Sequence, residues 1–555
     1  MLSDDNRVVI VGAGAGGLAA AIACASQGLD VVVLERADGP GGKMRRVEAG
    51  GLGIDAGPTV FTMRWVFEDL LRETGRTLED CLVLEQATVL ARHAWTQGGT
   101  LDLFADEAAS FAAIEAFAGA GEAEGFMRMM SRARDIHATL AQPFMAAEQP
   151  GSSMELMRRL GLRGLPGLAR TAPMRRLWGA LGDYFKEPRL RQLFARYATY
   201  VGASPLAAPA TLMLVAWVEQ AGVWRVQGGL RALAHGLAGV AHALGVEFRY
   251  QTEVSRIETQ TGRIAAVHLA DGSALRCHQL IYNGDTAALG AGLLGPDLQP
   301  YFASECKRTR SLSAVTFCAA AKVTGLPLSH HNVFFGEEYP AEFRHIFERG
   351  RIVDTPTVYV CAQNRSAAAI APAASNAFGS ASPSSVMGNF GRSAQASASN
   401  PQAPSIPTPI PTPEPEPLLL LINAPADGDG QPRSLATMAA LRANTLEMLA
   451  RCGSHVEIVD ETVTTPEGFA TLFPGRGGAL YGAANHGPMA SFARPGPQTP
   501  VQGLYLAGGS AHPGAGVPMA TLSGRLAAAR LLADRQSPGQ RQVRITVPEW
   551  VLTRP

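Results

Sequence analysis

Four apolar β-formers, Val8-Val9-Ile10-Val11, run directly into Gly12-Ala13-Gly14-Ala15-Gly16-Gly17, and this junction constrains the chain more than any other stretch. The apolar run is long enough for one buried parallel strand, and the alanine-rich segment Leu18 to Ala25 behind the glycines reads as a helix. Gly28 closes that helix, and a second strand, Val31 to Leu34, ends at Glu35. Strand, Gly-x-Gly-x-x-Gly turn, helix, strand and acid stand in the spacing of a dinucleotide-binding unit. Gly12 permits the tight turn, Gly14 lets backbone approach a pyrophosphate, and Gly17 lets the helix pack closely on the sheet. Unpaired amides and the positive end of the helix dipole then face the phosphates. Glu35 is expected to accept hydrogen bonds from an adenosine ribose and to repel a 2′-phosphate.

The segment after Glu35 decides between dinucleotides. Gly39-Pro40-Gly41-Gly42-Lys43-Met44-Arg45 comes next, then a hairpin-like piece ending Gly53-Ile54-Asp55-Ala56-Gly57-Pro58-Thr59-Val60-Phe61. A nicotinamide enzyme would normally go straight into another helix here. Glycines beside a cation suit a flavin whose extended body runs past the first βαβ unit.

At 555 residues the chain is too long for one ordinary core, so two domains or a large composite are expected. A formal net charge of zero leaves no global field to steer it to nucleic acid. The seven cysteines are scattered, with no Cys-x-x-Cys pair, which favours reduced thiols in the cytoplasm and no zinc site. Met1 to Arg7 enters the first strand at once, leaving no room for a signal peptide. No apolar run is long enough to span a bilayer; the nearest, Ala207 to Val218, is short and contains Pro209. The expectation is a soluble or peripheral protein.

From Val66 to about Arg196 the pattern is mostly helical. Met154 to Arg163 and Leu168 to Leu181 mix Arg pairs with Leu, Met and Trp178. Such segments suit a membrane interface, and equally a helical cap with a solvated Arg face. Val223 to Leu230 leads into a helix through His242, and strands are expected at Val246–Tyr250, Val254–Thr259, Ile264–Leu269 and Leu275–Tyr282, before Asn283-Gly284-Asp285. His235, His242, His268 and His278 have no metal-ligand spacing, and His330-His331 reads as a loop feature. Between Asn364 and Pro417 the composition turns to Ala, Ser, Pro, Gly and Asn, with Pro401, Pro404, Pro407, Pro409, Pro411, Pro413, Pro415 and Pro417. This segment is expected to be a disordered insertion between two strands, Thr357–Cys361 and Leu418–Asn423, that pair as though it were absent.

Near the C-terminus the strand Gly503–Ala507 precedes Gly508-Gly509-Ser510-Ala511-His512-Pro513-Gly514-Ala515-Gly516-Val517-Pro518, then a helix of small residues from Met519 to Asp534. Backbone close to a cofactor is expected here too, with the positive helix end able to favour an anionic reduced flavin.

The Gly12–Glu35 unit, Gly41-Gly42-Lys43, Asp55-x-Gly57-Pro58-Thr59, Asn283-x-Asp285 and the Gly508–Pro518 loop together resemble the phytoene desaturase family of FAD-dependent carotenoid desaturases. The resemblance covers nearly the whole chain outside the insertion. Gly57 to Phe67 and Gly475-Arg476-Gly477-Gly478-Ala479-Leu480-Tyr481-Gly482 are most similar to its 1-hydroxycarotenoid 3,4-desaturase branch. One departure is Lys43, where many flavin oxidoreductases carry Arg, with fewer bidentate contacts to the cofactor as the consequence.

This resemblance implies an α/β fold: a Rossmann-like FAD-binding domain of the glutathione-reductase/amine-oxidase type, a mixed α+β substrate domain, and a helical, membrane-associating region. The implied division is FAD-binding over 1–65, helical over 66–222, FAD-binding again over 223–290, substrate domain over 291–363 and 418–495 around the 364–417 insertion, and FAD-binding over 496–540. The FAD residues would be Gly12, Gly14, Gly17, Glu35, Gly42, Lys43, Gly57, Pro58, Thr59, Val254 (through backbone), Gly508, Gly509, Pro518 and Met519. His512 and Arg476 are the candidates for positioning substrate or flavin, with holding a loop in shape as the alternative for each. The implied reaction removes a hydride and a proton from neighbouring carbons of a long acyclic hydroxycarotenoid, inside a dry tunnel, with oxygen or quinone as final electron acceptor. Phytoene desaturation, amine oxidation and carotenoid isomerisation are the alternatives on the same scaffold. The implied location is the cytoplasmic face of a membrane, held peripherally.

Overall fold

The computed structural model describes residues 6–365, 414–488, 490–536 and 545–546. The disorder expected of the insertion therefore falls mostly outside the described residues.

Arg7–Val11 is the middle strand of a five-stranded, wholly parallel sheet in the order Leu504–Leu506, Leu280–Tyr282, Arg7–Val11, Asp30–Leu34 and Glu247–Arg249. Both faces are covered, which is why its strands read as unbroken apolar runs. Val8, Ile10, Val31 and Val33 pack against the helices Ala15–Ala25, Gly229–Ala243 and Val517–Gln536. Val9, Val32 and Leu34 pack on the other face against Val254, Ile257, Ile264 and Val267. These last belong to a three-stranded antiparallel sheet of Val254–Gln260, Arg263–Leu269 and Ala274–Arg276.

The expected strand Leu275–Tyr282 is in fact two. Ala274–Arg276 closes the antiparallel sheet, and Leu280–Tyr282 enters the parallel one. Buried Cys277 lies in the break, so hydropathy alone did not mark it.

A seven-stranded mixed sheet forms the second layer, ordered Ser454–Thr464, Ser313–Gly325, Glu416–Ala424, Val358–Ala362, His331–Phe335, Val89–Trp95 and Thr100–Phe104. The last two strands lie inside the stretch read as helical. Val89–Trp95 is buried at six of its seven positions, so it shows no polar alternation. The helical cap proper begins at Glu107. Its core joins Phe126, Met130, Ile136, Phe194 and Trp217 to Trp95 and Phe335 of the mixed sheet. The histidine pair is also repositioned: His331 opens a strand and both rings are buried, so it is no surface loop.

Val358–Ala362 and Glu416–Ala424 pair antiparallel, Val358 opposite Ile422 and Ala362 opposite Leu418, with Arg365 salt-bridged to Glu416 at 2.6 Å just beyond the pairing. Closing a long loop costs only slowly more than closing a short one. Excising 366–413 and joining Arg365 to Glu414 is therefore expected to leave the melting temperature within about 4 °C of the parent and its flavin content unchanged, as read by differential scanning calorimetry and absorbance.

Candidate cofactor and substrate site

The first wall of the site is backbone. Gly12 leaves the central strand at φ +98°, its amide donating to Leu34 O (2.8 Å) and its carbonyl accepting from Asn283 Nδ2 (3.1 Å). A Cβ on Gly17 would overlap the Gly12 carbonyl oxygen, so this glycine lets the turn close on itself. No side chain caps the helix that starts at Ala15, leaving its first amides to a ligand.

Gly16, which the motif does not require, proves equally constrained. A Cβ there would stand 2.6 Å from Asn283 Oδ1 and 2.8 Å from Gly508 N. One on Gly524 would overlap the Gly16 carbonyl. The N-terminal and C-terminal glycine loops thus meet across the Asn283 side chain.

Glu35 sits at the end of its strand, buried but on the cavity wall. Its carboxylate accepts from Ala13 N (2.7 Å) and Ala37 N (2.9 Å), which orients it and leaves lone pairs for a diol. Gly41 N donates to Ala13 O (3.0 Å), laying Gly42 against Gly14. A Cβ on Gly57 would overlap Lys43 O, so the Gly57-Pro58-Thr59 turn lies on the Gly41–Lys43 loop. Thr59 Oγ1 and Tyr359 OH are 2.6 Å apart, and Tyr359 OH is 2.7 Å from His331 Nδ1. His330, His331 and Cys361 bring their ligand atoms within 4.8 Å of one another, with His330 Nε2 3.7 Å from Cys361 Sγ.

Lys43 does not offer a substitute for bidentate arginine contacts. Its Nζ donates to Leu480 O at 2.5 Å and lies over the Phe473 ring, which ties the 41–43 loop to the 477–482 loop. Burial pulls its pKa down to about 8, against the pull of Asp285.

Gly14, Glu35, Gly42, Lys43, Gly57, Pro58, Thr59, Val254, Gly508, Gly509, Pro518 and Met519 all line one cavity of about 880 Å³, together with Gly12. Gly17 supports the turn from behind. The same cavity continues between the cap and the mixed sheet, past Phe144, Leu212, Val215, Val333, Leu419 and Leu421. A cradle closed to Cβ atoms at Gly16 and Gly508, a carboxylate at the second strand end and free helix amides fit the adenine and pyrophosphate end of FAD.

His512 and Arg476 stand behind this wall and do not line it. His512 Nε2 faces Phe144 O and Ala147 O, both at 2.9 Å, locking the C-terminal loop to the cap. Arg476 bonds Asp285 Oδ1 (2.8 Å), Glu305 O (2.7 Å) and Glu305 Oε2 (2.9 Å). In this geometry both residues hold loops, the second of the two roles open to them. Arg494, which the sequence did not single out, is fully buried and donates to Gly509 O (2.6 Å), Tyr481 O and Ala483 O (2.9 Å each). Nothing local distinguishes a buried arginine from a surface one, so no sequence signal marked it.

A family model described as flavin containing amine oxidoreductase matches residues 15–324 and 393–532. The chain is 42% identical to a hydroxyneurosporene desaturase of Rubrivivax gelatinosus, over 99% of this chain and 97% of that protein. It is 39% identical to a hydroxyneurosporene desaturase of Cereibacter sphaeroides, over 96% and 98%. Among solved structures, putrescine oxidase bound to putrescine superposes with a TM-score of 0.58, over 95% of this chain and 99% of that one, at 15% identity, which speaks to the fold alone.

Gly16→Ala is expected to destabilise the protein by about 1–3 kcal/mol and to lower its flavin-to-protein ratio. Gly121→Ala, where a Cβ meets no atom within 4 Å, is expected to change neither. Burial pushes the His512 imidazole from its ordinary 6.5 down to about 4, so between these values the unfolded chain binds more protons than the folded one. Stability therefore falls as pH drops through that window and levels below it, a loss of about 3 kcal/mol from this group. Denaturant unfolding at several pH values is expected to show a shallower acid slope for His512→Gln.

Proposed function

The chain belongs to the flavin-containing amine oxidoreductase family and uses FAD, and from that premise we propose that it is a carotenoid desaturase that introduces the C-3,4 double bond into acyclic 1-hydroxycarotenoids such as 1-hydroxyneurosporene. The observation that carries this reading is the continuity of one cavity, from the glycine cradle to a gallery walled by Phe144, Leu212, Val215, Val333 and Leu421. A charged amine would find no carboxylate in that gallery. Among the described residues, the carboxylates lining the cavity are Glu35, Glu253 and Asp285, all on segments of the cofactor-binding domain.

FAD, when bound, supplies the hydride-accepting chemistry. The chain's own residues bind it through Glu35 and the glycine backbones and hold the loops around it through Lys43, Arg476 and Arg494. The apolar walls exclude water and keep a polyene extended, so that one bond is presented repeatedly in one orientation. Charge developing beside a polyene is delocalised along it, so little acid–base assistance is required.

The gallery also supports peripheral membrane contact. Met174 lines the cavity yet is 76% exposed, which marks an opening. The two segments that carry Met174 and the cavity-lining Leu156 also expose Met154, Met157, Arg158, Arg175 and Arg176, apolar side chains interleaved with cations that suit a headgroup layer. No helix among the described residues is long and apolar enough to cross a membrane. In this reading the protein docks on the cytoplasmic face of the membrane and draws its substrate from the bilayer, with oxygen or a quinone taking the electrons.

Anaerobic mixing of the FAD-loaded protein with 1-hydroxyneurosporene in liposomes is expected to bleach the flavin and yield a product two hydrogens lighter. Bleaching with phytoene alone would move the protein to another branch of the desaturases. No bleaching with any carotenoid would return it to the other flavoenzyme classes. For the membrane, Met154→Asp with Met157→Asp, both exposed and off the cavity wall, is expected to cut flotation with anionic liposomes several-fold while leaving turnover in detergent near the parent value.

A further inference from the structure

Arg196 is the one charged side chain that the helical cap contributes to the cavity wall among the described residues. It is only 7% exposed and sits at the start of the short helical segment Arg196–Val201, next to Thr199, Tyr200 and Val201, which also line the cavity. Its surroundings do not satisfy it. Glu219 is the nearest carboxylate, but its oxygens already accept from Tyr197 OH (2.6 Å) and Tyr200 OH, and it stands 4.0 Å from the guanidinium. Arg196 Nη1 reaches Tyr200 OH at 3.4 Å, and Nε has no partner. The Tyr197 and Tyr200 rings pack on the cation at 5.4 and 5.2 Å.

A guanidinium carries five N–H donors and stays protonated in proteins. Burying such a group with donors unmet is costly, and a native structure that keeps one needs a reason. Two other cations on the cavity wall are tied to backbone, Lys43 to Leu480 O and Arg36 to Thr471 O, whereas Arg45 donates to Thr464 Oγ1 at 2.7 Å and, like Arg196, keeps an unpartnered Nε. A pure hydrocarbon lodged against Arg196 would leave its terminal nitrogens with the long contacts to Tyr200 and Glu219 alone; an oxygen acceptor in the cavity would add a short one.

Its position also fits. Gly202, at the end of the same segment, packs so closely on Tyr481 that a Cβ there would stand 2.5 Å from the ring. Tyr481 is next in the chain to Leu480, whose carbonyl holds Lys43 beside the cofactor cradle. The segment that opens with Arg196 thus ends against the loops that hold the cofactor cradle, and Arg196 lines the same cavity. In a 1-hydroxycarotenoid the oxygen-bearing carbon is separated from C-3 by C-2 alone, so whatever binds the oxygen also sets which bond faces the flavin.

We propose that Arg196, held by the Tyr200 hydroxyl, donates the hydrogen bond that recognises the tertiary oxygen at the carotenoid end and thereby selects the C-3,4 bond for oxidation. Tyr197 and Glu219 are positioning residues that hold the pair. This inference rests on the desaturase reading above. It adds a specificity determinant: a hydroxylated or ether-bearing end is accepted, and a hydrocarbon end is discriminated against.

The test compares 1-hydroxyneurosporene with the same polyene lacking the hydroxyl, using the holoenzyme in liposomes and reading kcat/KM and product mass. A hydrogen bond to a charged donor predicts that the native protein prefers the hydroxylated substrate by about 10- to 100-fold. Arg196→Met combined with Glu219→Gln, which removes both charges together, is expected to abolish most of that preference. The loss should fall on the hydroxylated substrate, with the hydrocarbon staying within about threefold of its native value. Tyr200→Phe, a smaller change, is expected to reduce the preference in part, and it carries the comparison if the double variant loses its flavin. Native turnover with an unchanged preference in the variants, or an equal loss on both substrates, would overturn the inference and leave the desaturase reading standing. Native protein that stays oxidised with every hydroxylated carotenoid would overturn both.

Discussion

The structure depends on one close approach of backbones. The helices Ala15–Ala25 and Val517–Gln536 cross where Gly16 meets Gly524, close enough that a Cβ on Gly524 would overlap the Gly16 carbonyl. Asn283 fills the space beside them, its Nδ2 bonded to Gly12 O and its Oδ1 directed between Gly16 and Gly508. Three segments hundreds of residues apart in sequence are thereby locked into one wall. That wall is mostly main chain, which suits a ligand bound by amides and shape more than by individual side chains.

Buried arginines then fasten the loops to this wall. Arg476 joins the 475–482 loop to Asp285 and Glu305, Arg494 joins it to the C-terminal glycine loop, and Arg525 joins the C-terminal helix to Asp69. Each replaces water with several carbonyl or carboxylate acceptors. Removing one would therefore leave a set of buried acceptors unmet, a larger loss than the net contribution of the bonds themselves. Such ties are rigid and directional, and a cofactor site that must keep its shape through repeated redox cycles needs both properties.

Arg196 obeys a different logic. Its partners hold the guanidinium in place without saturating it, and it lines a cavity whose far walls are largely apolar. The contrast between Arg476 and Arg494 behind the wall, each bonded to several acceptors, and Arg196 on it, with one hydroxyl at 3.4 Å, separates support from recognition. The cap and the mixed sheet make this possible: each supplies one side of the gallery, and the cavity opens where Met174 is exposed.

By itself the sequence determined the first unit of the nucleotide-binding half, because its signals are local. The strand, glycine turn, helix and acid of residues 7–35 lie within one βαβ unit, and each element states its own conformation. The pairing of Val358–Ala362 with Glu416–Ala424 was legible for the same reason, as two apolar strands flanking a compositional break. Tertiary structure decided what depends on neighbours distant in the chain. Whether His512 faced the cavity or the Phe144 carbonyl, whether Leu275–Tyr282 was one strand or two, and which arginines were saturated could not be read from local pattern. Hydropathy and spacing record a residue's own chemistry, whereas a buried polar group takes its role from the partners that folding brings to it.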